Sequence, residues 1–306
     1  MRSTLRSPSP AFGLLVLATV IAIVSGGPLS AREDLRRSQQ CGRPVTEDVT
    51  HWTTIPGKDA PWLAQISFKY YWFAGKSSGF FISDRHVIIA SDLILDNQAP
   101  GTSRHFMWLA NRKTADFKTC KDNVMEVPQF GLKNITVHSC IGTKAGETCS
   151  KSTDLRVARA HYIGNCNSSL IAYGMVVLEL AEPVASITPL CIPKIHLEKV
   201  GETLVATAVH LEEGIASRPV KVIAECKGLE GHKDLSICLD EPGACSTDFG
   251  GPVVKHVNGQ QYGVAVLWSN FCDGSWNKHV STGALSSAIC KVSGVCRSQY
   301  PTPTTA

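Results

Sequence analysis

The sequence has little net charge, no metal-ligand spacing and no repeats, and each absence argues against a class of function. Its 30 Lys and Arg residues stand against 26 Asp and Glu, and the resulting charge of +4 forms no basic stripe, so no nucleic-acid partner is expected. There is no Cys-x-x-Cys pair and no pair of histidines at ligand spacing, so neither a metal nor another cofactor is expected. The lack of repeats and low-complexity assembly segments argues against a structural matrix role.

Long apolar runs are also missing, with one exception near the N-terminus. The stretch Ala11–Val24 follows Arg2 and Arg6 and has 14 residues, fewer than the roughly 20 that a membrane-spanning helix needs. A basic start followed by a short apolar core is typical of a secretory signal. We therefore expect residues 1–26 to be a signal peptide, cleaved after Gly26 or after Ala31, with a signal anchor as the alternative. The mature chain should be secreted to the extracellular space and should not span a membrane.

Cysteine is absent from the first 40 residues and frequent after them. All 12 cysteines lie between Cys41 and Cys296. An even number of cysteines in a secreted chain predicts a disulfide framework that forms in an oxidising compartment.

Helical periodicity is poor except near the C-terminus, and short β-branched or aromatic runs take its place. The 25 Gly and 16 Pro separate these runs, a pattern typical of an all-β domain. The runs cover residues 62–68, 86–90, 175–180, 204–210, 219–224 and 262–268.

One segment, Cys245–Pro252, carries the strongest functional signal. It reads Cys-Ser-Thr-Asp-Phe-Gly-Gly-Pro and resembles the nucleophile loop of the trypsin-like serine proteases, Cys-x-Gly-Asp-Ser-Gly-Gly-Pro. Phe249 stands at the position of the attacking serine. A phenyl ring has no lone pair to attack a carbonyl carbon and no proton for a base to remove.

Two further segments match this family in the family's order. Val87–Leu93 reads Val-Ile-Ile-Ala-Ser-Asp-Leu, where the family has Val-Ile-Thr-Ala-Ala-His-Cys, so Asp92 replaces the histidine. Gly174–Leu180 reads Gly-Met-Val-Val-Leu-Glu-Leu, where the family has Asp-Ile-Ala-Leu-Leu-Glu-Leu, so Gly174 replaces the aspartate.

The resemblance covers roughly residues 41–296, and the end of this stretch, Cys290–Cys296, is similar to a nematode-type branch of the family. It implies an all-β fold of two six-stranded antiparallel β-barrels with a short C-terminal helix. Asp92, Gly174 and Phe249 should then meet in the cleft between the barrels.

All three catalytic positions of the family are substituted, so no catalytic residue is assigned. Without an imidazole at Asp92 no group titrates near neutrality to move a proton, and Gly174 can neither orient nor support a base. Thr247, in place of a glycine, should disturb the oxyanion hole. His86 is an alternative base, but its place before a strand favours a structural role. Ser246 is an alternative nucleophile with no base assigned to it.

The resemblance implies three disulfides, Cys41–Cys191, Cys226–Cys238 and Cys245–Cys272. A fourth bridge of the family has no counterpart, because its two positions hold Ser77 and Leu93. The remaining cysteines allow 15 pairings. They are Cys120, Cys140, Cys149, Cys166, Cys290 and Cys296.

The stretch between Asp92 and Gly174 is longer than the family needs. Four cysteines fall in it and should pair with one another, so residues 110–170 are predicted to form an inserted, disulfide-stapled surface region. The N-glycosylation sequons at Asn134 and Asn167 lie in the same stretch and should be exposed to solvent.

The resemblance also predicts how the chain is divided into segments. Residues 27–48 should be a pro-segment or linker remnant, 49–297 the protease-like domain and 298–306 a disordered tail. No basic residue precedes the family's start at position 49, and the dibasic pair at 36–37 lies too far upstream, so zymogen activation is not expected.

The pocket-floor position holds Gly243. Trp268 matches a groove edge that binds substrate backbone, or else it packs in the core.

The substituted triad favours binding over catalysis. We expect a secreted, inactive serine protease homologue that is monomeric and binds an extracellular protein, as a decoy, an adaptor or a modulator of a protease or host protein. The alternative is an active secreted endopeptidase or hydrolase with a rearranged site.

Overall fold

The computed structural model describes residues 26–43, 50–70, 74–98, 105–111, 113–149, 154–166, 173–210, 213–226, 233–240, 249–268 and 278–297. Within these ranges the chain forms sixteen strands and three α-helices. The helices are α1 Ala31–Gln40, α2 Gln129–Leu132 and α3 Ser286–Ser293. The strands are β1 Thr53–Thr54, β2 Leu63–Lys69, β3 Ala74–Phe81, β4 His86–Ala90, β5 Leu95–Gln98, β6 His105–Trp108, β7 Val124–Glu126, β8 Ile135–Ser139, β9 Leu155–Gly164, β10 Gly174–Leu180, β11 Thr203–His210, β12 Gly214–Val222, β13 Ser236–Asp240, β14 Pro252–Val257, β15 Gln260–Val266 and β16 Lys278–Ser281.

The first barrel is a closed ring of six antiparallel strands in the order β2-β3-β4-β10-β9-β8. β10 closes the ring because it pairs with β4 on one edge and with β9 on the other. Every residue of β10 is buried, as expected of a strand that has neighbours on both edges and an inner and an outer cover. β7 extends the sheet from β9 outside the ring.

The second barrel is a ring of the same kind in the order β11-β12-β13-β16-β15-β14, closed by the pairing of β12 with β13. β1 adds to β12 from outside, and β5 and β6 form a separate hairpin. The expected fold of two six-stranded barrels and a short C-terminal helix is confirmed. No helix in the described ranges is long and apolar enough to cross a membrane.

The prediction of an inserted surface region at residues 110–170 needs correction. This stretch supplies β8 and β9, two of the six strands of the first barrel. Ile135 and Val137 of β8 point into the core with 5% and 0% of their surface exposed. The four cysteines that indicated an insertion do pair with each other, but they close loops at strand ends. Their bridges are Cys120–Cys166 and Cys140–Cys149.

The N-terminal segment, expected to be a pro-segment or linker remnant, contains helix α1. Ser30 caps its first turn by accepting a hydrogen bond from the Glu33 N–H, and the Glu33 carboxylate accepts one from the Ser30 N–H at 2.7 Å. This reciprocal capping box satisfies two of the amide groups that a helix start leaves without partners. The Glu33 carboxylate also pairs with Arg85 at 3.0 Å, which docks the helix on the first barrel.

Helix α1 is attached to the C-terminal end of the domain through one buried carboxylate. Asp34 accepts hydrogen bonds from the Cys296 and Arg297 N–H groups at 3.2 and 2.8 Å. It also pairs with Arg37 at 2.9 Å, and both side chains are at least 96% buried. A buried carboxylate with this many donors joins elements that are more than 250 residues apart in sequence.

The dibasic pair at 36–37 is not an accessible processing site, because its second residue belongs to this contact. The Arg37 guanidinium donates to Asp34 and to the Arg297 carbonyl oxygen. A protease would have to unfold α1 to extend this segment into an active site. The disulfide Cys41–Cys191, with 5.0 Å between Cα atoms, follows directly and ties the end of α1 to the rest of the domain.

Asp34→Asn should destabilise the protein by about 3–5 kcal/mol, because it leaves the Arg37 guanidinium buried without its counter-charge. The free energy of unfolding in urea measures this change. The matched control is Asp122→Asn, which removes an ion pair with Lys291 whose carboxylate side chain is 80% exposed and should leave the unfolding midpoint unchanged. Equal effects of the two substitutions would contradict the role given to Asp34.

Candidate functional site in the cleft between the barrels

Asp92 and Gly174 lie at the same end of two paired strands. Asp92 sits on the short 3-10 turn that follows β4, and Gly174 is the first residue of β10. The register pairs Met175 with Ala90, so the start of β10 runs beside the end of β4. The Asp92 charge also contributes to the raised pKa values of Tyr162 and Tyr173, for which burial is the larger cause.

Phe249, just before the start of the second barrel's β14, lies against β3, which is the neighbour of β4 in the first barrel. Its ring is buried, with 7% exposure, and its carbonyl oxygen accepts hydrogen bonds from the Ser78 N–H at 2.9 Å and from the Ser77 hydroxyl. The next residue, Gly250, has φ +83°, and a Cβ on it would lie 2.2 Å from the Ser78 carbonyl oxygen and 3.4 Å from the Ala90 nitrogen. The three positions that the resemblance aligns with the family's triad therefore lie around Ala90.

Gly174 has no room for a side chain. A Cβ at this position would lie 2.4 Å from the Ile163 carbonyl oxygen and 2.8 Å from Cε2 of Tyr162. Gly164, its partner across β9, is equally confined, since a Cβ there would lie 2.4 Å from the Tyr162 hydroxyl. The two glycines form a slot for the Tyr162 phenol, whose hydroxyl donates to the Tyr173 carbonyl oxygen at 3.2 Å. An aspartate side chain at 174 would occupy the space of this tyrosine.

A cluster of aromatic rings fills the neighbouring volume. Tyr173 is fully buried and meets Trp268 edge to face, with 4.9 Å between ring centroids. The Trp268 indole N–H donates to the Ser91 hydroxyl at 3.4 Å, and its backbone N–H donates to Nδ1 of His279 at 3.1 Å. Lys278 lies over the Tyr173 ring at 5.8 Å. Trp268 is thus a buried contact between the barrels, and its backbone N–H is already used.

These features agree with the comparison to known families. A model of the nematode trypsin-6-like family matches residues 11–296. The chain belongs to the nematode trypsin-6-like family. Together with the two closed barrels, this membership establishes a trypsin-like fold. A search of curated proteins found no match.

The disulfide framework of this family member is described for ten cysteines. Two of the bridges, Cys41–Cys191 and Cys226–Cys238, are pairs that the resemblance implies, and Cys290–Cys296 closes the end of α3. The remaining implied pair, Cys245–Cys272, lies outside the described residues. So do Gly243, Ser246, Thr247, Asp248 and Asn167.

The two positions at which the resemblance implies a further bridge, Ser77 and Leu93, are each held by a hydrogen bond. Ser77 is 2% exposed, and its hydroxyl donates to the Phe249 carbonyl oxygen. Leu93 is also buried, and its carbonyl oxygen accepts a hydrogen bond from the Tyr70 hydroxyl at 2.6 Å. Both positions therefore remain fixed without a covalent link.

His86 is remote from this cleft, at the opposite end of β4 from Ala90. It is fully buried, and its Nδ1 lies 2.8 Å from the Ser83 hydroxyl. Burial, reinforced by the positive charge of Arg85, lowers the pKa of His86 to about 3. The imidazole is neutral at physiological pH and packs in the barrel wall, which fits the structural role expected for it.

A second group of residues, which the sequence did not indicate, has the composition of a catalytic triad. The Ser67 hydroxyl on β2 lies 3.1 Å from Nε2 of His138 on β8. Nδ1 of His138 lies 3.3 Å from a carboxylate oxygen of Asp154. Nδ1 makes no hydrogen bond of good geometry, so Asp154 does not hold the imidazole in a fixed orientation. Ser67 and His138 are 71 residues apart, and no motif connects them.

The surroundings of Ser67 do not supply the other parts of a hydrolase site. β2 pairs with β3 on one edge and with β8 on the other, with Ser67 opposite Lys76 and Thr136. Its neighbouring backbone amides are therefore committed to the sheet and cannot form an oxyanion hole. Asp154 is 76% exposed, so solvent screens its effect on His138.

Gly174→Ala should destabilise the protein by about 1–3 kcal/mol or more, because the new methyl group collides with the Ile163 carbonyl oxygen and the Tyr162 ring. Thermal unfolding monitored by tyrosine and tryptophan fluorescence measures the loss. The matched control is Gly142→Ala, where a Cβ would meet nothing within 4 Å. A Gly174→Ala variant as stable as the control would show that the slot is not tightly packed.

Proposed function

We propose that this family member is a secreted, catalytically inactive protease homologue that acts by binding another extracellular protein. The observation that carries the proposal is the packing at Gly174. A Cβ there lies 2.4 Å from a backbone oxygen, so the position cannot hold a carboxylate without displacement of β9. This packing supports the proposed loss of the triad, because restoring an aspartate at 174 would require the first barrel to repack.

The other two positions support the same conclusion. Phe249 offers no nucleophile, and its backbone is fastened by Ser77 and Ser78. Asp92 offers a carboxylate in place of an imidazole, with no hydroxyl at 249 from which to accept a proton. Catalysis of the usual kind needs all three groups to act as a unit, and none is present.

Secretion is part of the proposal, and the described disulfides support it. Ten cysteines form five bridges, which belong in an oxidising compartment. Asn134 lies in an exposed turn between α2 and β8, where an attached glycan would extend into solvent. We propose glycosylation at this asparagine.

Inactivity is tested with a fluorophosphonate probe, which labels only activated serines. The secreted protein should not be labelled, and it should not cleave generic peptide substrates. Phe249→Ser should also remain unlabelled, because neither Asp92 nor Gly174 supplies a base. Strong labelling of the wild-type protein would overturn the proposal of inactivity.

The alternative function is an active hydrolase with a rearranged site. The Ser67–His138–Asp154 group is the one observation that favours it. The same labelling experiment distinguishes the two. If the wild-type protein is labelled, Ser67→Ala should abolish the label under this alternative. The matched control is Ser139→Ala on β8, whose hydroxyl accepts a hydrogen bond from Ile141. Loss of the label with Ser67→Ala alone would establish the alternative.

Binding is tested by capture from extracellular fluid of the source organism. The immobilised native protein should retain a specific protein that the reduced and alkylated chain does not retain. If the chain is a decoy or modulator, the purified partner should also bind an active trypsin-like protease, and the chain should compete for that binding. Failure to find any such partner at micromolar concentrations of the chain would contradict the binding role.

A further inference from the structure

The segment that precedes α1 is held against the outside of the first barrel. The Leu29 N–H donates to the Ser293 carbonyl oxygen at 2.8 Å, and the Leu29 side chain is buried. Gly294, with φ +71°, allows this approach, since a Cβ there would lie 2.3 Å from the Leu29 nitrogen. Residues 26–28, the described residues upstream of Leu29, therefore have a defined position, although they lie next to a predicted cleavage region.

That position is beside a buried carboxylate. Glu179 on β10 is 3% exposed, and Arg159 on β9 donates two hydrogen bonds to it at 3.0 and 3.1 Å. A Cβ on Gly26 would lie 2.4 Å from Oε1 of Glu179, and one on Gly27 would lie 3.3 Å from Nη2 of Arg159. From standard backbone geometry, the Gly27 nitrogen lies within about 6 Å of the carboxylate oxygen.

The structure distinguishes the two cleavage positions that the sequence allows. Cleavage after Ala31 would remove Ser30, which caps α1, and Leu29, which bonds α3. Cleavage after Gly26 would retain both contacts. It would also leave a new amino group at Gly27, within reach of Glu179.

We propose that the signal peptide is removed between Gly26 and Gly27 and that the new α-ammonium group binds the Glu179 carboxylate, as a second cation beside Arg159. The step is hydrolysis of one peptide bond by the signal peptidase of the secretory pathway. Water supplies the hydroxyl of the leader's new carboxyl group and a proton to the Gly27 amine. The proposal depends on secretion, which is proposed above, and is independent of the inactivity of the cleft.

The charges around Glu179 favour an added cation. The charges that act on the two neighbouring histidines come from three carboxylates and two guanidinium groups, so an added ammonium group would balance this set. Burial lowers the pKa of both histidines, which keeps them neutral at pH 7. The charged and titratable groups are Glu179, Arg159, His86, His161, Glu126, Arg85 and Glu33.

The first test is the mass of the intact secreted protein after removal of glycans. The mature chain should begin at Gly27. A chain that begins at Arg32, or one that keeps its leader, would overturn the proposal. This result does not depend on whether the cleft is active, so it cannot be confused with a failure of the proposed function.

The second test measures how fast the amino terminus is acylated at pH 7, when an unperturbed α-amine has a pKa of about 7.7–8.0. Pairing with a carboxylate favours the protonated, unreactive form, so the folded protein should react about threefold to tenfold more slowly than the urea-unfolded chain. Glu179→Gln should remove this protection. The matched control is Glu202→Gln, which breaks a similar ion pair with Lys255 on the second barrel and should leave the rate unchanged.

A variant that should change the acylation rate in the opposite direction makes the test specific. Arg159→Met removes the competing cation from Glu179, so the amine should bind the carboxylate more strongly and react more slowly than in the wild-type protein. If Glu179→Gln is not secreted, the acylation rates of the folded and unfolded wild-type protein still show whether the ion pair forms. Equal acylation rates in these two states, or no slowing with Arg159→Met, would overturn the ion pair.

Discussion

Closure of the first barrel by β10 determines the geometry of two regions, the cleft at one end of the strand and the site of the N-terminal segment at the other. The strand pairs with β4 and β9 at once, so its register fixes which residues face each other at its two ends. At one end it places Gly174 beside the end of β4, in the cleft. At the other end it places Glu179 between His86 and Arg159, under the N-terminal segment. A shift of one residue would turn every side chain to the other face.

In the cleft, this closure of the barrel is accompanied by close packing around the positions that the resemblance aligns with the family's triad. Catalytic groups are costly to hold, because they need strained backbone, exposed polar atoms and buried charge. Here the corresponding space holds close packing. Tyr162 fills the slot between Gly164 and Gly174, and Trp268 joins the barrels through Ser91 and Tyr173.

The two barrels could be predicted from the sequence because three short motifs occur in a fixed order. The segments around Asp92, Gly174 and Phe249 lie at a strand end, a strand start and a turn, and their residue patterns resemble those of the trypsin-like family. The local pairing of the cysteines between 120 and 166 was expected as well. The loop that carries Cys245 and Gly243 lies outside the described residues, so the pocket floor stays a prediction.

Helix α1 and the role of residues 110–170 were not predicted, for different physical reasons. α1 buries Asp34, Arg37 and Ser38 in place of apolar side chains, so no apolar stripe marks it, and the Ser30–Glu33 capping-box spacing is the local signal of its start. In residues 110–170 the four cysteines indicated an inserted surface region held by disulfides, yet two strands of the first barrel lie between these cysteines. A disulfide shows that two positions of the chain lie close together, but it does not show which structure the residues between them form. For α1 the deciding contacts are long-range and polar, as in the bond of Asp34 to Arg297. β8 and β9 are instead placed by strand pairing and by buried apolar residues such as Ile135 and Val137. Long-range polar contacts leave no periodic trace in the sequence, and in this structure they attach to the domain a segment that was expected to be a pro-segment or linker remnant.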